Sequence, residues 1–296
     1  GARLVLVHEW NDPRLVRRLG VARARDRSFR LLFHDTHHRS VTDPESMIRY
    51  DLRYYDGVLA FGEVIRRLYL SRRWARRAWT WHEAADVRVF RPRPEIPREG
   101  DLIWIGNWGD EERTQELRDF WLGSARALPE LKFVAHGVRY PEYALAELAD
   151  AGVEFRGWAP SVQVPEVFAR SRVTLHVPRR AYVQALAGIP TIRVFEALAC
   201  GIPLVSAPWS DAEGLFRPGD YAVAETPAEM RAALLRFCRD EDAARAQAER
   251  GLETILARHT CDHRAAQLLD IIAELGAAGS AGTMREFARP AAVGGE

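Results

Sequence analysis

Short apolar runs alternate with helix-like segments along almost the whole chain, and this alternation restricts the fold more than any other feature. Residues 4–7 are apolar. Asp12-Pro13 then opens a helical pattern carried by Leu15, Val16 and Leu19, with Asp12 as N-cap and Pro13 in the first turn. Apolar runs recur at 29–33, 57–61 and 78–81, separated by a helix opening at Asp43-Pro44 and another over 63–70. Residues 91–100 carry three prolines and no periodicity, which marks a linker. The alternation then restarts. Strand candidates are 102–105, 132–135, 153–155, 173–177, 203–206 and 221–224. Helix candidates are 112–128, 143–150, 164–169, 192–200, 228–240, 243–257 and 265–275.

Strands alternating with helices predict βαβ units and parallel sheets. The expected fold class is α/β, with two Rossmann-like domains of which the first is incomplete. Residues 1–92 are expected to form a partial N-terminal domain, 93–100 the linker and 101–275 a complete doubly wound domain. The Gly/Ala-rich residues 276–296 are expected to be a disordered tail. The opening Gly1-Ala2-Arg3 runs straight into a strand pattern, so an upstream segment is expected to be missing. Ligands of such folds bind at the carboxyl ends of the strands, here in a cleft between the two sheets.

Composition removes several function classes. Lys+Arg is 42 against Asp+Glu 41, so a globally basic nucleic-acid binder is not expected. No apolar run approaches the length of a membrane span. The three cysteines, Cys200, Cys238 and Cys261, are odd in number and not spaced as metal ligands; they read as reduced thiols of a cytoplasmic protein.

Two glycine-bearing turns are candidate phosphate cradles. The first runs from Ile105 through Gly106, Asn107, Trp108 and Gly109 to Arg113, and is neither G-x-G-x-x-G nor a P-loop. Asp110, Glu111 and Glu112 suit the positive helix end there and would repel a phosphate. That favours a self-capped helix start, with the loop backbone and Arg113 left to touch a ligand from the side. The second turn, Gly188-Ile189-Pro190-Thr191-Ile192-Arg193, has no acid in the first helical turn. Free amides, a positive helix end and Arg193 suit an anion. Glu196 lies one turn further on the same face, where a carboxylate can accept two ribose hydroxyls. The competing reading is an ordinary Arg193–Glu196 ion pair.

His34-Asp35-Thr36-His37-His38 closes a predicted strand at the cleft. It reads as a proton-handling group centred on His34, as a zinc or manganese site, or as a hydrogen-bonded polar loop. Arg66, Arg67, Arg72, Arg73, Arg76 and Arg77 lie among Tyr69, Trp74, Trp79 and Trp81. The 66–81 stretch reads as a solvated helix face, a peripheral membrane contact, or a surface for an anionic acceptor or single-stranded nucleic acid.

Four segments, in order, resemble the GT-B glycosyltransferases, nearest to the CgeB-like, spore-maturation-type group of the glycosyltransferase 1/4 set. Leu4–Trp10 and Arg30–Asp35 resemble paired strand-then-histidine segments of the acceptor domain, and Ala84–Pro92 resembles the exit from that domain. Val153–Trp158 resembles the strand-glycine loop near the nucleotide base. Arg193-Val-Phe-Glu196-Ala-Leu-Ala-Cys-Gly201-Ile-Pro203 resembles the F-E-A-x-A-x-G-x-P donor helix.

The resemblance implies sugar transfer from a nucleotide-sugar to an unidentified acceptor, without cofactor or metal. Thr191, Arg193, Arg113, Gly106 and Asn107 would meet the diphosphate, Glu196 the ribose, and Gly157 and Trp158 the base. His34 would lie by the reacting sugar. Gly188 stands where many relatives carry the first glutamate of E-x7-E. The rivals are a nucleotide-sugar epimerase of the same fold and a non-catalytic nucleotide-binding or structural protein.

Overall fold

Each of the ten apolar runs forms a strand in the computed structural model, which describes residues 2–287. β1 (Leu4–His8), β2 (Arg30–Asp35), β3 (Gly57–Ala60) and β4 (Ala78–Thr80) lie side by side in chain order, all parallel. β5 (Leu102–Ile105), β6 (Phe133–His136), β7 (Glu154–Phe155), β8 (Val173–His176), β9 (Leu204–Ser206) and β10 (Ala222–Val223) form a second parallel sheet in the order β10-β9-β8-β5-β6-β7. The winding direction reverses between β5 and β8, and a crevice opens at such a switch point.

A parallel sheet needs cover on both faces. In the first sheet, alternate residues point to opposite sides. Leu31, Phe33, Val58 and Ala60 pack in one core cluster with Val16, Ile65 and Tyr69 of the connecting helices. Leu32 and Leu59 face the other way, against Ile271 and Leu275 of the Cys261–Phe287 helix. The Trp79 indole donates to Glu274 at 2.9 Å, and the Trp81 indole to the Arg264 carbonyl at 2.9 Å. The final helix therefore leaves the second domain and covers the bare face of the first, which corrects its expected place within 101–275. It also runs on to Phe287, where a disordered tail was expected from residue 276. Alanine is the best helix former, and the helix is anchored by Ile271 and Leu275 just upstream. The remainder of that expectation, 288–296, falls outside the described residues.

One further expectation changes. The helix expected over 112–128 divides into a 3-10 turn (Asp110–Glu112), an α turn (Thr114–Glu116), a π-helical stretch (Leu117–Leu122) and an α-helix (Gly123–Ala127). The widened stretch carries Leu117, Trp121 and Leu122, all fully buried, with Trp121 stacked on Trp104 at 5.1 Å. The aromatics of the 66–81 stretch turn inward. Tyr69 is buried in the core, Trp74 packs edge-on against it, and Trp79 and Trp81 lie under the final helix. Trp74, Trp79 and Trp81 stay partly exposed, and Arg72, Arg73, Arg76 and Arg77 beside them are exposed. No helix among the described residues is long and apolar enough to cross a membrane. Cys200, Cys238 and Cys261 are free thiols.

Candidate functional site

A cavity of about 240 Å³ opens at the switch point and reaches across to the first domain. From the second domain it is lined by Trp104, Ile105, Gly106, Arg113, Leu175, His176, Arg179, Tyr182, Thr191 and Arg193; His37 and His38 come from the first.

The loop after β5 is tightly tied. A Cβ on Gly106 would meet the Trp104 ring at 2.9 Å, and Gly109 sits at φ +89°, so glycine is required at both. Arg113 is buried. It donates to the Trp108 carbonyl at 3.1 Å, to the Val177 carbonyl at 3.0 Å and to the Asn107 carbonyl, with its guanidinium 5.0 Å from the Trp104 ring centre. Burial and the neighbouring Arg179 lower its pKa to about 10, so it stays charged. Arg113 is thus first a clamp on the loop and only secondarily a ligand contact. The Asn107 side chain accepts from the Val138 amide at 3.4 Å. One acid of this turn is neutralised, Glu112 by Arg179 at 2.7 Å; Arg180 pairs with Glu116 further along at 3.0 Å and donates to the Glu111 backbone carbonyl. The repulsion expected from the acidic turn is partly cancelled by arginines that follow β8.

The turn before the Ile192–Ala199 helix is left open. Thr191 occupies the N-cap, yet its side chain makes no capping bond and no acid sits in the first turn. Its hydroxyl instead meets His176 Nε2 at 3.1 Å, while His176 Nδ1 meets Ser206 Oγ at 2.9 Å. Ser206 gives its proton to the Ala207 carbonyl, so Nδ1 carries the histidine proton and Nε2 accepts from Thr191. Burial and Arg113 lower the His176 pKa to about 3, which keeps this neutral tautomer. His176 thus holds the threonine hydroxyl away from its own helix; the Val194 amide donates to the Thr191 carbonyl at 3.0 Å, and the Ile192 and Arg193 amides remain available.

Arg193 lines the cavity and pairs with Glu196. The Glu196 carboxyl is buried, which raises its pKa, and Arg193 opposes that rise. Glu83, on the crossover from β4, feels the Glu196 charge; burial and Glu196 lift its pKa to about 8. The simple ion pair and the ligand reading therefore share the same two side chains.

His34 is not one of the residues lining the cavity. Its ring packs edge-on between His8 (5.3 Å) and Trp81 (4.8 Å), and burial lowers its pKa to about 4. The chain turns after β2 and presents His37 and His38 instead. His38 Nδ1 meets Thr42 Oγ1 at 2.9 Å, while its buried Nε2 has no hydrogen-bond partner among the described residues. Asp35 accepts from Ser40, Tyr69 and the His37 amide in the interior, so it does not combine with the histidines into a metal centre. Gly157 has φ +71°, and its carbonyl accepts from the Gly137 amide and from His136 Nδ1 at the ends of β6 and β7; Trp158 beyond it is exposed. The structure brings Thr191, Arg193, Arg113 and Gly106 together at the cavity, with Asn107 and Glu196 adjacent. His176, Arg179 and Tyr182 were not singled out by sequence, and His38 only as a member of the cluster centred on His34. The signal that could have found the first two was a histidine and arginines flanking the end of a predicted strand.

Two parallel-sheet domains that face each other across a cleft at their strands' carboxyl ends define the GT-B class of fold. The chain belongs to the glycosyl transferase-like family, whose model matches residues 113–270. Solved structures agree in fold. Sucrose-phosphate synthase from Thermosynechococcus elongatus superposes with a TM-score of 0.68 at 15% identity, over 93% of this chain and 74% of that one. Anabaena HepE with UDP-glucose gives 0.67 at 13% identity, over 92% and 79%. The pneumococcal O-GlcNAc transferase GtfA with UDP and GlcNAc gives 0.62 at 13% identity, over 92% of this chain and 56% of that one. No curated protein matches the sequence.

Proposed function

We propose that this chain transfers a sugar from a nucleotide-sugar to an acceptor bound against the first domain. The observation that carries the reading is the uncapped start of the Ile192–Ala199 helix, opening into an interdomain cavity that Arg113, Arg179 and Arg193 also line. The pyrophosphate would lie on these amides, with Arg193 swinging from Glu196 to the anion and freeing Glu196 for the ribose hydroxyls. The helix end and the guanidinium groups stabilise the diphosphate as it leaves, a task a metal ion performs in other sites. The cavity, at about 240 Å³, is smaller than typical small-molecule sites. It suits pyrophosphate and sugar, with the base outside toward Gly157 and Trp158. His38, which lines the cavity where His34 does not, is the better choice for the group by the reacting sugar.

HepE and GtfA were solved with UDP, so uridine is the first base to test. A thermal-shift panel of UDP, GDP, ADP and TDP should single out one nucleotide. Ligand at 100 times its dissociation constant stabilises by about 2.7 kcal/mol. Arg193→Ala and Glu196→Ala should each weaken that nucleotide at least about tenfold, or 1.4 kcal/mol. Unchanged affinity in both variants removes the reading.

A further inference from the structure

Two of the nine tryptophans are exposed, Trp158 and Trp10, and both follow the carboxyl end of a strand. Trp10 is 63% accessible yet held in place. The Arg39 guanidinium covers one face of its ring at 4.6 Å, and the His37 ring abuts it edge-on at 5.0 Å. Arg39 is itself tied to the Glu9 carbonyl at 3.1 Å, and it has no carboxylate partner among the described residues. A large apolar ring is thus fixed with one face open to solvent, beside a histidine that lines the interdomain cavity.

The flanking groups decide what such a plate can take. His8, Asn11, Asp12, His37 and Arg39 make its surroundings polar and rich in hydrogen-bonding groups. An acyl chain needs a contiguous apolar patch. A sugar ring needs one flat apolar plate for its C–H face and polar groups for its rim. We propose that Trp10 is the docking plate for the acceptor and that the acceptor is a carbohydrate, its ring against the open indole face and a hydroxyl toward His37. Trp10 is a positioning residue here, acting on the acceptor alone. The proposal rests on the sugar-transfer reading for the word acceptor, but its binding test does not.

The probe is a panel of methyl α- and β-glycosides of glucose, galactose, mannose and N-acetylglucosamine, observed by saturation-transfer NMR on the full chain. At least one should give signals from its ring C–H protons. These should vanish in Trp10→Ala and persist in Trp10→Phe, while nucleotide affinity and acceptor-free donor hydrolysis remain unchanged. Transfer to the bound glycoside should lose at least about tenfold in kcat/KM through KM in Trp10→Ala, the scale of removing one aromatic anchor. Persistent glycoside signals in Trp10→Ala, no glycoside signal from the wild type, or loss of nucleotide affinity in Trp10→Ala each overturns the proposal. Trp10-dependent glycoside signals in a chain that binds no nucleotide would sink the donor reading and leave the sugar plate standing.

Discussion

The turn after β5 and the turn before the Ile192–Ala199 helix meet at the same cavity and are built in opposite ways. In the first, the backbone is consumed internally: Arg113 spans three carbonyls, Tyr140 donates to the Gly106 carbonyl at 2.8 Å, and Glu112 is matched by Arg179. In the second, the one side chain able to cap the helix is diverted to His176. A satisfied turn is scaffold. A turn whose donors are kept unsatisfied by a dedicated histidine is the better place to look for a ligand.

The largest effect should come from breaking the closed turn. Arg113→Ala leaves the Trp108, Asn107 and Val177 carbonyls without their donor. At about 1–3 kcal/mol for each buried unsatisfied group, unfolding by urea should show a loss of at least about 3 kcal/mol. A loss below about 1 kcal/mol would mean that the loop holds itself and that Arg113 serves the ligand after all.

Thr191→Asp sharpens the contrast from the other side. A carboxylate at the N-cap would bond the free amides and suit the helix dipole, so the melting temperature should rise by the equivalent of about 0.5–1 kcal/mol. The same carboxylate would occupy and repel the pyrophosphate site. Losing two charge-assisted hydrogen bonds there should weaken nucleotide binding by about a hundredfold. Calorimetric titration at constant salt reads this directly. Equal affinity for wild type and variant would refute the open-turn account.

The contrast also explains what could be read without coordinates. The strands were legible because a buried parallel strand reads as a near-continuous apolar run, as in 31–33, 57–61 and 102–105. The helix carrying Arg193 and Glu196 was legible from its spacing and flanking glycines. The choice among His34, His37 and His38 was not, because it depends on how the chain turns after Asp35. His38 ends in the cavity wall only because the Arg39–Thr42 helix begins beside it. The path of the final helix was equally hidden. Its apolar stripe says that it must pack on something, but Leu268, Ile271 and Leu275 fit either sheet by hydrophobicity alone. The packing of the 66–81 aromatics was hidden for a related reason: composition reports that Trp79 and Trp81 are there, not that a helix from residue 261 onward packs on them.

The adjacent arginines after β8 give the smallest and most selective test. Arg179 lines the cavity and pairs with Glu112; Arg180 pairs with Glu116 outside it, and about half of its side chain is exposed. Arg179→Ala removes a cation from the cavity and at the same time releases Glu112, so nucleotide affinity should fall about tenfold, more at low ionic strength than at high. Arg180→Ala removes an exposed pair worth less than about 1 kcal/mol, and affinity should not change. Both variants alter net charge equally, so their difference isolates position from charge. If the two weakened the nucleotide alike, the arginines would act only as a diffuse positive field, and the acidic turn would need no local partner to admit an anion.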